Sequence, residues 1–178
     1  MKILMIHEIE PWMLDLDLSE YDEITFDDGL YTQYKHYKHF LKFNKPLIFF
    51  ISTNIICREQ QNTNLISCSE AHKLFFEKND NSYYMTWEQI QEIYSTSNCY
   101  IGGHSHNHNQ YTDNNIRDLY FKLKSDTESM IIEFQKQNIN ITKFCFPYNK
   151  EYPLYKQILL DSEITEFYCN ERIELKRN

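Results

Sequence analysis

The chain has 178 residues, 42% of them hydrophobic, and a formal net charge of -8. This length suits one domain with a substantial core and is short for two, so we expect a single domain over residues 1–178. The acidic balance disfavours nucleic acid as a partner, because proteins that bind it gather Lys and Arg into basic patches.

The amino-terminal segment lacks the pattern of a signal peptide. Its short apolar run is interrupted by His7, Glu8 and Glu10 before a signal core would reach its usual length. No other stretch approaches the length of a membrane span. The five cysteines are scattered without a Cys-x-x-Cys pair, which is typical of free thiols in a reducing compartment. We therefore expect a cytoplasmic protein without an integral membrane segment.

Short β-type runs alternate with amphipathic stretches along the chain, which is typical of an α/β fold with a largely parallel sheet. Six strands are predicted, at residues 2–6, 23–26, 47–51, 99–101, 143–146 and 165–168. Helices are predicted over 31–43, near 70–76, after a capping box at Thr86, and over 115–137. The polar segment 53–82 is expected to be an insertion. The charged tail, 171–178, is expected to fray.

The three glycines of the chain lie in two short motifs. Gly29 closes TFDDG (residues 25–29), and Gly102 and Gly103 open GGHSHNH (residues 102–108). Glycine this scarce is expected where the backbone needs its freedom. Both motifs are therefore candidate parts of a functional site.

The first motif places Asp27 and Asp28 at the end of a predicted strand, where parallel sheets present functional groups. Within a strand the two side chains would point to opposite faces, but in the following turn both could reach one pocket. A plain turn that caps the next helix explains the pair equally well.

The second motif places His104 and His108 four residues apart. That spacing brings two imidazoles to one side of a helical turn or compact loop, as a divalent metal requires. With one carboxylate they would leave coordination positions open for water and substrate. A lone histidine pair of this kind is often incidental, but the aspartate pair and the glycines favour a metal site.

Taken in order, TFDDG (25–29), HSHNH (104–108) and FCFPY (144–148) resemble the first three motifs of the polysaccharide deacetylases with NodB homology, carbohydrate esterase family 4. The resemblance spans most of the chain. It implies a distorted, incomplete (β/α) barrel with fewer than eight complete units. It also implies a metal-dependent N-deacetylase that hydrolyses the acetamide of an amino sugar.

The same resemblance assigns roles to individual residues. Zinc or another divalent transition metal would be held by Asp28, His104 and His108. Ser105 would fix the metal loop, Asp27 would be the catalytic base, and the backbone N–H of Tyr148 would face the oxyanion. The chemistry is coherent, because a metal of this kind can lower the pKa of bound water to roughly 7 and a neighbouring carboxylate can take its proton.

Two features depart from the family pattern. Cys145 occupies the place of an arginine that orients the base, so Asp27 is either less constrained or held by another group. No histidine follows His108, so the late acid histidine of the family is missing. His7, just after the first predicted strand, is our first candidate for the acid, although a structural role fits it equally well. The proton could also return from Asp27.

Other histidines and aromatic residues receive weaker assignments. His106 is expected to point to solvent. Helix surfaces without a role are expected for His36, His39 and His72. Tyr148, Tyr31 and Trp12 are placed near the cleft, although packing under the first loop suits Trp12 better.

The substrate implied is an acetylated amino sugar, nucleotide-linked, lipid-linked or polymeric, on the route to lipopolysaccharide O-antigen, capsule or another surface glycan. A formamide or another small amide is a rival substrate. The rival from another class is a catalytically silent relative that binds glycan or a partner protein, but an unligated Asp27 beside a metal opposes it. The shortened barrel also suggests a homo-oligomer in which a second subunit completes it.

Overall fold

A computed structural model describes residues 1–112 and 115–175 and contains one sheet of seven parallel strands within them. The strands are β1 (Ile3–Ile6), β2 (Glu23–Asp27), β3 (Leu47–Ile51), β4 (Cys99–Gly103), β5 (Lys143–Cys145), β6 (Glu166–Tyr168) and β7 (Ile173–Glu174). Their order across the sheet is β6-β5-β4-β3-β2-β1-β7. With its helices the sheet curls into a distorted, incomplete (β/α) barrel, which confirms the predicted fold class.

In the described part of the chain, five α-helices lie in the four connections between β2 and β6. They are α1 (Tyr31–Phe40), α2 (Cys68–Lys78), α3 (Trp87–Tyr94), α4 (Ile116–Lys136) and α5 (Pro153–Leu160). The capping box predicted at Thr86 is confirmed, since Thr86 and Gln89 satisfy each other's backbone N–H groups. None of the described helices combines the length and apolar character needed to cross a bilayer.

The apolar runs that predicted the strands form the core. All four residues of β1 and all five of β3 are buried. One face of the sheet packs against the helices, and on the other face strand residues pack against one another: Ile3, Ile48, Phe50, Cys145 and Tyr168. Close packing in this core explains why residue 102 is a glycine. A Cβ on Gly102 would lie 2.7 Å from the Phe50 ring and 3.0 Å from the Lys143 carbonyl oxygen.

The prediction of six strands was wrong at the carboxyl end. β7 pairs with β1 through Leu4↔Ile173 and Met5↔Glu174. The expectation that residues 171–178 fray is therefore wrong as far as residue 175, and residues 176–178 lie outside the described part of the chain. A strand of two residues has no alternation that a sequence pattern could reveal.

The polar segment 53–82 and its neighbours together form a small apolar cluster. The cluster consists of Leu30, Ile55, Ile66, Ala71, Phe75 and Tyr84. It seats α2 beside the carboxyl end of β2, where Leu30 and Tyr84 also form an isolated bridge. The interpretation of 53–82 as an insertion stays a prediction.

Candidate active site

A cleft of about 630 Å³ lies at the carboxyl ends of the central strands. Several residues that the sequence singled out line it together: His7, Asp27, Asp28, His104, His108 and Tyr148. They come from segments that end or follow β1, β2, β4 and β5. Parallel strands place their carboxyl ends at one edge of the sheet, which is why such distant motifs meet.

Asp28 lies at the centre of the predicted metal set. Its Oδ1 is 3.2 Å from His104 Nε2 and 3.0 Å from His108 Nε2. All three side chains are buried, and Asp28 Oδ1 has no hydrogen-bond partner among the described residues. An orphaned carboxylate oxygen between two imidazole nitrogens fits a divalent cation, which would satisfy all three atoms.

The backbone at this set is unusual. Asp28 has φ of 75° and His108 has φ of 53°, both in the left-handed region that residues other than glycine seldom adopt. Gly29 continues the same turn with φ of 77°. Strained conformations of this kind persist where the surrounding structure fixes them, and they cluster at functional sites.

Charge and burial compete at Asp28. Burial raises the pKa of its carboxyl group, but the imidazoles of His108 and His104 outweigh that effect and hold the pKa well below its usual range. Asp28 is therefore an anionic ligand at neutral pH.

His104 is oriented for coordination by its other ring nitrogen. Its Nδ1 lies 2.8 Å from the Cys145 carbonyl oxygen. A carbonyl oxygen only accepts hydrogen bonds, so Nδ1 carries a proton, and Nε2 is the ring nitrogen that faces Asp28.

One hydroxyl group and one carboxylate group fix the histidine loop. Ser105, with φ of 67°, accepts a hydrogen bond at Oγ from His108 N at 2.9 Å, in keeping with its expected role. Asp126 of α4 is buried and accepts from the backbone N–H groups of His106 and Asn107 at 2.8 and 3.1 Å. Sequence reasoning missed Asp126, although a carboxylate on the apolar face of a helix was a signal for it.

Asp27 is held by a guanidinium from the far end of the chain. Arg172 Nη1 donates to Asp27 Oδ1 at 2.6 Å and Arg172 Nη2 donates to Asp27 Oδ2 at 2.7 Å. The Cys145 thiol, which stands where the family has its arginine, lies 2.9 Å from Arg172 Nη2. Of the two alternatives that the sequence left open, the structure shows that another group holds Asp27.

Sequence reasoning missed Arg172 because it lies in the tail that was expected to fray. The one indication of such a residue was that a buried carboxylate needs a cationic partner. Burial raises the pKa of Asp27, but the adjacent Arg172 guanidinium prevails and the net pKa lies below the ordinary value. Burial raises the pKa of the Cys145 thiol well above its usual value, so Cys145 stays neutral.

The expectation for His72 was wrong. Rather than lying on a helix surface, it lines the cleft with a side chain that is 16% exposed. Its ring stacks on His108 with centroids 4.5 Å apart, and its Nε2 is 3.7 Å from Asp28 Oδ1. Cys68, one helical turn earlier on α2, places Sγ 3.0 Å from Asp28 Oδ2. The apolar cluster under α2 turns this face inward, a long-range effect that local periodicity does not reveal.

His7 and Tyr148 both line the cleft. His7 has a side chain that is 28% exposed, with Nδ1 3.9 Å from Glu174 Oε1. Tyr148 has φ of 56°, and its ring lies 4.8 Å from that of His108. Both residues can therefore reach a molecule in the cleft.

Two weaker expectations fail. His106 is half-buried rather than directed to solvent, since its Nδ1 lies 2.8 Å from Thr53 Oγ1. Tyr31 is not among the residues that line the cleft. Trp12 packs against the hydrophobic core, as the favoured interpretation of that residue expected.

Comparisons with known proteins agree with this geometry. The family model described as polysaccharide deacetylase matches residues 21–166. No curated protein matches the chain by sequence.

Solved structures share its fold at low identity. IcaB from Ammonifex degensii has a TM-score of 0.68 at 17% identity, over 99% of this chain and 85% of that one. A de-N-acetylase from Aggregatibacter actinomycetemcomitans has a TM-score of 0.65 at 16% identity, over 94% and 77%. BA3943, a CE4 family pseudoenzyme from Bacillus anthracis, has a TM-score of 0.51 at 10% identity, over 92% and 46%. These likenesses show the fold alone.

Proposed function

Because the chain belongs to the polysaccharide deacetylase family, we propose that it removes the acetyl group from an acetamido sugar by metal-dependent hydrolysis. One observation carries the proposal. The anionic Asp27, locked by Arg172, lies in the same cleft as the Asp28, His104 and His108 set without belonging to that set. A base beside a three-ligand metal set is the arrangement that hydrolysis of an amide needs.

The metal would be held by Asp28, His104 and His108, whose donor atoms suit zinc or another divalent transition metal. When bound, it would activate a water molecule and polarise the amide carbonyl. The backbone of the histidine loop keeps the two imidazoles in place through Ser105 and Asp126.

Asp27 would accept the proton of the attacking water. Oδ2 accepts hydrogen bonds from Arg172 and from the Cys145 thiol, whereas Oδ1 accepts one from Arg172 and keeps a second lone pair for another donor. Arg172 keeps the carboxylate anionic and fixes its plane, so the base needs no reorganisation when the proton arrives.

The remaining steps fall to Tyr148 and His7. We propose the backbone N–H of Tyr148 as the donor to the oxyanion, and removal of one such donor typically lowers the rate about 10²–10³-fold. His7 faces the same cleft and would protonate the departing amine. Return of the proton from Asp27 is the alternative route.

The proposed substrate is an acetylated amino sugar, nucleotide-linked, lipid-linked or polymeric, that leads to lipopolysaccharide O-antigen, capsule or another surface glycan. Membership of the polysaccharide deacetylase family supports the reaction class. All five cysteines are unpaired, which supports a cytoplasmic site of action where thiols stay reduced. A homo-oligomer that covers the outer strands β6 and β7 is part of the proposal, and light scattering that finds only monomer in active protein would contradict it.

The test is acetate release by metal-loaded protein from a panel of acetamido sugars, nucleotide sugars and non-sugar amides. Asp27→Asn should lower the rate by at least about 10²-fold while the bound metal stays unchanged, because general base catalysis contributes that much. The exposed Asp161→Asn is the matched control and should keep the wild-type rate. Equal acetate release by Asp27→Asn would overturn the assigned mechanism.

The second candidate is a silent relative that binds glycan or a partner protein. The missing late histidine favours it, and the fold it shares with a CE4 pseudoenzyme shows that this architecture need not be active. Glycan binding by wild-type protein and Asp27→Asn alike, with no acetate from any member of the panel, would establish this alternative.

A further inference from the structure

α2 presents to Asp28 two side chains that can ligate a metal, next to the histidine loop, where the His72 ring stacks on His108. Cys68 and His72 are four residues apart and therefore share one face of the helix. Cys68 Sγ lies 3.0 Å from Asp28 Oδ2 and 3.6 Å from His72 Nδ1, and His72 Nε2 lies 3.7 Å from Asp28 Oδ1. The three side chains thus bring their donor atoms to one point.

This cluster leaves polar atoms unsatisfied. His72 Nε2 and Asp28 Oδ1 are buried, and neither has a hydrogen-bond partner in residues 1–112 and 115–175. Burial of such atoms without a partner is unfavourable, because each has lost its hydrogen bonds to water. A thiol, an imidazole and a carboxylate at these separations are the donors that zinc and related ions prefer.

The ligands around Asp28 exceed what one zinc ion uses. Asp28, Cys68, His72, His104 and His108 are five, whereas a zinc site normally has four positions and a catalytic one keeps one open. The two carboxylate oxygens face different ligands. Oδ1 lies 3.2 and 3.0 Å from Nε2 of His104 and His108 and 3.7 Å from Nε2 of His72, whereas Oδ2 lies 3.0 Å from Cys68 Sγ.

We propose that Cys68, His72 and Asp28 hold a second divalent metal ion, with Asp28 bridging it to the ion of the His104 and His108 set. Paired sites of this kind separate their ions by about 3.5–4 Å, a span that one carboxylate bridges. As the metal–sulfur bond forms, the thiol proton of Cys68 passes to solvent, and no electron is transferred. Cys68 and His72 also line the cleft, where water or substrate completes the coordination.

The experiment is a Co²⁺ titration of metal-free protein, followed by elemental analysis of bound metal and by near-ultraviolet absorption from thiolate-to-cobalt charge transfer. Wild-type protein should bind two equivalents per chain and show the charge-transfer band. Cys68→Ser should bind one equivalent and lose the band. His72→Gln should also bind one equivalent, which gives a second test that keeps Cys68.

Cys57→Ser is the matched control, because Cys57 is a buried cysteine of the same segment outside the cluster. It should keep two equivalents and the band. One equivalent in wild-type protein overturns the proposal, whether or not a thiolate band accompanies it, since a band with one equivalent places Cys68 on the first ion. Metal binding is read without substrate, so two equivalents in protein that releases no acetate would contradict the proposed function alone.

Discussion

Arg172 and Asp27 are 145 residues apart in sequence and share two parallel N–H···O hydrogen bonds of 2.6 and 2.7 Å. The pair joins the last residue of β2 to the residue before β7, and both side chains are almost completely buried. Arg172 also donates to Thr25 Oγ1 at 3.0 Å and to the Cys169 carbonyl oxygen at 3.2 Å. One side chain therefore orients Asp27, the proposed base, and fastens the edge of the sheet.

Removal of Arg172 should destabilise the fold strongly. Arg172→Met leaves Asp27 as a buried charge without its partner, so the free energy of unfolding should fall by about 3–5 kcal/mol. Urea unfolding measures the change. Adding Asp27→Asn to Arg172→Met should recover part of the loss, because the unpaired charge is gone. A change below about 1 kcal/mol, as expected for the exposed control Arg117→Met, would show that the pair contributes little.

Stability should also depend on acidity through Asp27. The folded state holds the pKa of Asp27 below its value in the unfolded chain, so the unfolded state binds more protons at low pH. The stabilisation is fully present above the unfolded pKa of about 3.9 and is lost as the pH falls toward the lower folded value. Urea unfolding of metal-free protein should be measured between pH 6 and 3, a range that spans roughly that pKa. Over this range the free energy of unfolding should fall less for Asp27→Asn than for wild type. An equal fall in the free energy of unfolding of both proteins would contradict this role of Asp27.

Asp126 should tune metal affinity without touching the metal. Its carboxylate fixes the backbone of residues 106 and 107 between the two histidine ligands. Asp126→Asn should weaken binding of the first metal by about 10–100-fold, as is typical for groups that support metal ligands. Competition with a chelator measures the affinity. Asp118→Asn, at an exposed site on the same helix, should change nothing, and equal affinities for both variants would exclude this role.

The two adjacent glycines should respond differently to an added methyl group. A Cβ on Gly102 would meet the Phe50 ring and the Lys143 backbone, which has little freedom to move. Gly102→Ala should therefore lower the free energy of unfolding by about 1–3 kcal/mol. Gly103→Ala should lower it less, because its Cβ would meet the flexible end of the Met130 side chain. Thermal unfolding of both variants measures the difference, and the reverse order would contradict the packing argument.

Local sequence patterns predicted most of the strands and helices and the three proposed metal ligands. Continuous apolar runs such as residues 47–51 predict buried strands, because side chains on both faces of such a strand are removed from water. Asp28, His104 and His108 sit in short motifs whose meeting follows from the parallel sheet. These features depend on neighbours in sequence or on the general geometry of parallel strands.

The features that sequence reasoning missed depend on particular long-range contacts. Arg172 acts through a carboxylate on another strand, and His72 faces inward because the apolar cluster beneath α2 orients that helix. Asp126 contacts a loop about 20 residues earlier. A charged or aromatic side chain at such a position looks like surface until its partner is known.

The pairing of Asp27 with Arg172 also bears on the order of events during synthesis. Asp27 leaves the ribosome more than a hundred residues before Arg172, so the strand that carries the base is made long before its counter-ion. Contacts between such distant segments close late in folding, because the intervening loop must first be ordered. A nascent chain can therefore assemble β2, β3 and β4 while its base is still unpaired. The docking of β7 and the residue before it is the event that pairs Asp27 with Arg172 and fixes the orientation of its carboxylate.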